Sequence, residues 1–102
     1  MIHVIATVRL KPGCRDKYLE ILKSNVSHVK GEAGCLVYAP TIDMETDIEI
    51  HEKAGDDAVT IVEAWESVEA LKAHFQAPHM LSYREKAKDL FASVSIRILQ
   101  PA

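Results

Sequence analysis

Reactive side chains are sparse in this 102-residue chain, and one stretch gathers an unusual share of them. Thr60 to Tyr83 holds the only Trp, Trp65, together with His74, His79, Phe75 and Met80. Histidine is the side chain whose ordinary pKa lets it take a proton and return it near neutral pH, so His74 and His79 are the candidate acid–base groups. Arg84, just beyond, offers a fixed cation for an anionic oxygen. Trp65, Phe75 and Met80 offer apolar surface to a flat ring, and the hydroxyls of Tyr38 and Tyr83 could hydrogen-bond a phenol or quinone. Taken singly, each of these residue types more often packs or faces water than takes part in chemistry. Their concentration around one chain segment is what favours a site.

Other chemistries lack their signatures. There is no HExxH, no GxSxG, no glycine-rich phosphate loop and no pair of histidines at i, i+4 on a helix. His74 and His79 stand five apart across Pro78, and with Glu63 they do not make a diagnostic metal-ligand spacing. Cys14 and Cys35 are too far apart for a CxxC pair and read as small packing residues, reduced in a cytoplasm. A net charge of -3 with scattered Lys and Arg argues against nucleic acid. No apolar run approaches the roughly 20 residues that span a bilayer, and nothing at the N-terminus resembles a signal peptide. The expectation is one cytoplasmic domain over residues 1–102, without a membrane partner.

The elements that must position these residues follow from periodicity. His3 to Leu10 is apolar and β-branched and ends at Lys11, Pro12 and Gly13, a strand and a turn. From Arg15 to about Lys30, Tyr18, Leu19, Leu22, Val26 and Val29 make one apolar stripe, an amphipathic helix that Gly31 and Gly34 bracket. Cys35 to Ile42 predicts a second strand, with Pro40 placing it at an edge or on a bulge. Ile48 to Glu52 alternates apolar and polar and predicts a short strand, with Glu49 and His51 facing water. Val59 to Trp65 predicts a buried strand. Ser67 caps a helix whose apolar face is Val68, Leu71 and Phe75, and Pro78 breaks that helix and starts another through Ala87. The N-terminus of the helix after Trp65 is itself a candidate site for an oxyanion. Val94 to Leu99 predicts the last strand. The order is βαββαβ, a ferredoxin-like α+β fold. Apolar residues on both faces of its strands predict a homodimer that packs sheet on sheet.

Four segments carry a resemblance that composition does not: GCLVYAP (Gly34 to Pro40), EAWES with Leu71 and His74 downstream, APHM (Ala77 to Met80) and IRILQP (Ile96 to Pro101). Together they resemble the antibiotic biosynthesis monooxygenase domain family, in its bacterial quinol monooxygenase branch. The resemblance implies a dimeric α+β barrel, a small phenol, quinol or quinone as ligand with O2 as co-substrate, and no metal, flavin or haem. Trp65 and Arg84 match pocket residues of the polyketide-tailoring members, whereas their Asn and Tyr positions fall on Ile61 and Leu71. The haem-degrading branch uses an Asn where this chain has Ala6 and Thr7. The reading is a cofactor-free quinol or phenol monooxygenase: His74 or His79 takes the phenolic proton, Arg84 or the helix start at Ser67 holds the oxyanion, and Trp65, Tyr38, Phe75, Met80 and Tyr83 bind the ring. A non-catalytic ligand-binding dimer and a cofactor-free isomerase of a small carbonyl compound are the alternatives.

Overall fold

A computed structural model describes residues 1–102. Its elements are β1 (Ile2–Leu10), α1 (Arg15–Lys30), β2 (Cys35–Thr41), β3 (Ala58–Trp65), α2 (Val68–Gln76), α3 (Pro78–Ala87) and β4 (Phe91–Leu99), with one 3-10 turn at Lys88–Leu90. All strand pairs are antiparallel, and the sheet order is β2-β3-β1-β4. This is the expected ferredoxin-like α+β arrangement. No helix is long and apolar enough to cross a membrane.

Register decides what faces what, because residues directly opposite on neighbouring strands share a face. Val4 pairs with Glu63 and Ala6 with Ile61, and these lie on the side covered by the helices. Tyr18, Leu22 and Val29 of α1, Leu71 of α2, and Met80, Tyr83 and Ala87 of α3 close over them as one core. On β4 the same face carries Val94, Ile96 and Ile98, opposite Val8, Ala6 and Val4. There the cover gives out: Val4 is 1% exposed and its neighbour Ile98 49%.

Local rules account for the helix ends. The Ser67 hydroxyl accepts the Ala70 N–H at 3.1 Å, a side-chain cap that starts α2. Ala77 is extended, as the residue before a proline must be, and Pro78 opens α3 where its missing N–H costs nothing. Pro40 lies in β2, an edge strand with a single neighbour, so its lack of a donor is tolerated. The irregularity in that strand falls at Cys35 to Val37 instead.

Two expectations are corrected. Ile48 to Glu52 is not a strand but part of the irregular connection between β2 and β3, with Ile48 and Ile50 both exposed. Side chains there bond locally: Asp43 accepts from the Ala54 and Gly55 N–H groups, Thr46 pairs with His51, and Lys53 with Glu45. Alternation over five residues had no buried face to satisfy, and these bonds won. On α2 the buried residues are Leu71 and His74, while Val68 is exposed, so the helix turns its histidine rather than its valine inward.

Gly34 sets how the loop between α1 and β2 meets α2. Its φ is +85°, and a Cβ added there would lie 2.7 Å from the Ala70 Cβ. Its carbonyl also accepts the Glu66 N–H at 2.8 Å. Gly34→Ala is therefore expected to destabilise the fold by about 2–4 kcal/mol, a left-handed backbone penalty plus overpacking. Urea unfolding of the two proteins measures this, and an unchanged midpoint would refute the close approach.

Candidate active site

Between the sheet and the helices α2 and α3 lies a cavity of about 360 Å³ that β4 also lines. Most of its wall is apolar, with Ala6, Val8, Ile61, Phe91, Val94 and Ile96 coming from the sheet side. Phe75, Met80 and Tyr83 come from the helices, and Tyr38 from β2. Three further polar residues interrupt this wall: Glu63, His74 and Arg84. A mostly apolar, pre-formed cavity with few converging polar groups is the usual setting of a small-ligand site.

His74 is nearly buried, and its Nδ1–H donates to Glu32 Oε2 at 2.8 Å. His79 donates from Nε2 to the same oxygen at 2.9 Å. The Trp65 indole N–H donates to Glu63 Oε1 at 3.0 Å, and the indole centroid lies 4.6 Å from that of His74. Arg84 is anchored by an Nη2 bond to the Phe75 carbonyl at 2.6 Å, across the break between the two helices. The Tyr83 hydroxyl pairs with that of Tyr18. Every fully buried side-chain nitrogen or oxygen has a partner. His74 Nε2, the second Glu63 oxygen and the Tyr38 hydroxyl have none within the protein, so they are left open, and their residues line this cavity.

Burial sets the protonation of these groups. It pushes the Glu63 carboxyl up to about 7, outweighing the Trp65 bond that favours the anion. It lowers His74 below the ordinary histidine value, against the opposing pull of Glu32, so the ring is neutral and able to accept a proton. It raises the phenols of Tyr38 and Tyr83, which remain hydroxyl donors. The cavity thus presents a neutral imidazole, a carboxyl that changes charge near neutrality, a phenol and a guanidinium.

Of the residues singled out from sequence, His74, Arg84, Tyr38, Phe75, Met80 and Tyr83 line this cavity together. Trp65 does not reach it: fully buried, it backs His74 and Glu63 from behind the wall. His79 lies outside as well, in a polar recess with His28, Ser24, Asn25 and Lys86. The N-terminus of α2 at Ser67 does not border the cavity either, which His74 and Phe75 meet at the helix's other end. Sequence reasoning weighed Glu63 only as a metal ligand and overlooked Glu32. Glu63 was within reach, because Ile61, Glu63 and Trp65 alternate onto one face of a strand and the middle one must then be a buried carboxyl. Glu32 gave no local signal.

Comparison with known proteins bears on the family and the fold. The family model described as antibiotic biosynthesis monooxygenase matches residues 1–86. The chain is 39% identical over 103 residues to the probable quinol monooxygenase YgiN of Escherichia coli, covering 99% of this chain and 98% of that one. Among solved structures, PA3566 from Pseudomonas aeruginosa superposes with a TM-score of 0.82 at 25% identity, over 99% of this chain and 93% of that one. Rv0793 from Mycobacterium tuberculosis has a TM-score of 0.80 at 24% identity, over 99% and 94%, a likeness of fold. These relationships support a monooxygenase type of function, and the chain belongs to the antibiotic biosynthesis monooxygenase family.

Proposed function

We propose that the protein is a cofactor-free monooxygenase that oxidises a small phenol or hydroquinone, of one or two fused rings, with O2. The observation that carries this reading is the meeting of His74 Nε2, the Glu63 carboxyl and Arg84 in one otherwise apolar cavity. The quinol monooxygenase name of the Escherichia coli relative supports the substrate class.

An electron-rich phenolate can itself reduce O2, so the protein need only remove a proton, exclude water and hold the resulting charge. His74 Nε2 takes the ring hydroxyl proton. Arg84, fixed to the Phe75 carbonyl, places its remaining N–H groups toward the phenolate oxygen. Phe75, Met80 and the sheet side chains sandwich the ring. The phenolate gives electrons to O2, and a C–O bond forms at a ring carbon bearing hydrogen. The O–O bond of the resulting hydroperoxide then breaks as that C–H proton is lost. Glu63 supplies the proton that makes the peroxide a hydroperoxide; one oxygen atom then stays as the new carbonyl, and the other leaves as hydroxide, which takes up the C–H proton and becomes water. Glu63 is recharged from His74, so phenol plus O2 gives quinone plus H2O with no outside reductant.

Two copies are proposed to pack through the sheet face that carries no helix, where Ile5, Ala39, Val62 and Leu99 lie among Thr7, Thr60 and Ser95. Val62 and Leu99 are exposed there at 38% and 37%. Reaction in the cytoplasm is part of the same proposal, in keeping with two free thiols at Cys14 and Cys35.

Oxygen uptake with a panel of naphthohydroquinones and phenols tests the chemistry. His74→Ala is expected to lower kcat by about 10²–10⁴, and His79→Ala, outside the cavity, by less than about tenfold. Equal rates for wild type and His74→Ala would remove the base, and product formation under argon would indicate an isomerase. Light scattering tests assembly: twice the 11.4 kDa chain mass is expected, and about one chain mass for Val62→Lys. A wild-type monomer would refute the packing.

Glu63 has a separate signature in stability. Its proton is held more tightly in the folded state, so the folded protein loses stability as pH rises from the ordinary glutamate value of 4.5 to about 7. Glu63→Gln keeps an acceptor for Trp65 but cannot ionise. Its stability relative to wild type should rise by up to about 3 kcal/mol across that window and level off above it. Parallel denaturation curves at each pH decide, and a constant difference would show that Glu63 is not held neutral.

A further inference from the structure

We propose that Glu32, which does not line the cavity, is the positioning residue that turns His74 into a base, by pinning its Nδ1–H so that Nε2 faces the ligand. This rests on the reading of His74 as the group that takes the phenolic proton.

The tautomer follows from the partners. A neutral imidazole has one N–H, and a carboxylate oxygen can only accept, so the 2.8 Å bond to Glu32 Oε2 puts the His74 proton on Nδ1. The lone pair is then on Nε2, which has no protein partner and is left open on a ring that lines the cavity. Without Glu32 nothing else in the structure bonds Nδ1. The other groups around the ring are Trp65, Tyr38 and Phe75, which pack against it, and Arg84 and His79, whose charge opposes its protonation. Glu32 is thus the neighbour that favours the imidazolium formed when the phenolic proton arrives.

His79 completes the arrangement from outside. Its Nε2–H shares Glu32 Oε2, so the carboxylate is held from two sides. The three groups grade outward: the side chain of His74 is 2% exposed, Glu32 13% and His79 24%. His79 stacks on His28 at a 5.7 Å centroid distance, in a polar recess separate from the cavity. A base oriented by a carboxylate that is itself held by a further donor is a general way to fix a tautomer for proton transfer. The loop that carries Glu32 approaches α2 closely at Gly34, where an added Cβ would lie 2.7 Å from that of Ala70.

Two measurements on the full-length protein test this, one of them independent of turnover. Nitrogen-15 spectra of the histidine rings should show His74 protonated at Nδ1 and bare at Nε2 in wild type, and a mixed or reversed pattern in Glu32→Ala. An unchanged pattern in the variant would overturn the proposal. Kinetically, Glu32→Ala should lower kcat about 10- to 100-fold, with KM little changed, on a phenol that is protonated at the assay pH. On a phenol acidic enough to be already ionised the loss should nearly vanish, since no base is needed. Equal losses on both phenols would mean that Glu32 acts only on structure and would overturn the assignment. Should Glu32→Ala not fold, Glu32→Met, which keeps the side-chain length without an oxygen acceptor, carries the same kinetic comparison. If wild type oxidises neither phenol, the proposed function fails while the ring spectra still decide the tautomer.

Discussion

A proline cannot sit in the interior of a straight helix, and the site depends on that fact at one place. Pro78 forces Ala77 into extended backbone, so the chain after β3 forms two short helices instead of one long one. A single helix would present one stripe to the sheet and pack flat upon it. Two short helices instead border one hollow with the sheet, and Arg84 reaches back across the break to the Phe75 carbonyl and spans it. His74 stands just before the break and Met80 just after, which is why both look into the same space.

The surroundings of that hollow are layered. Apolar side chains form the wall, and behind them a second set of groups fixes the polar ones: Trp65 holds Glu63, and Glu32 holds His74. Trp65 is the largest fully buried side chain of the chain, and it serves the cavity without touching it. Keeping water away from an ionisable carboxyl raises its pKa, and keeping it away from an imidazole lowers its pKa. Burial therefore brings Glu63 and His74 toward each other's range, which suits the proton exchange proposed between them.

Much of this was readable in the sequence where the physics is local. The Ser67 cap, the Pro78 break, the stripe of α1 and the edge placement implied by Pro40 each rest on a few adjacent residues, and each formed. Ile48 to Glu52 failed because alternation marks a strand only where a neighbouring surface can bury one side of it. Of the site, the residues on α2 and α3 were legible as a cluster. Their division into wall and backing was not, since whether Trp65 or Phe75 lines the cavity depends on how the helices pack on the sheet. Glu32 stands 42 residues from His74, and nothing in its own neighbourhood marks it. That contact is a product of the whole fold, of the Gly34 turn and of the depth of His74 together.

The central proposal is that an oxygen atom from O2 enters the aromatic ring of the substrate. Turnover of a hydroquinone or phenol under oxygen-18 gas, with mass spectrometry of the product, tests it most directly. One labelled atom in each quinone formed, with the other in water, is the result expected. Quinone without label, accompanied by labelled hydrogen peroxide, would mean that the cavity only removes electrons, and would contradict it.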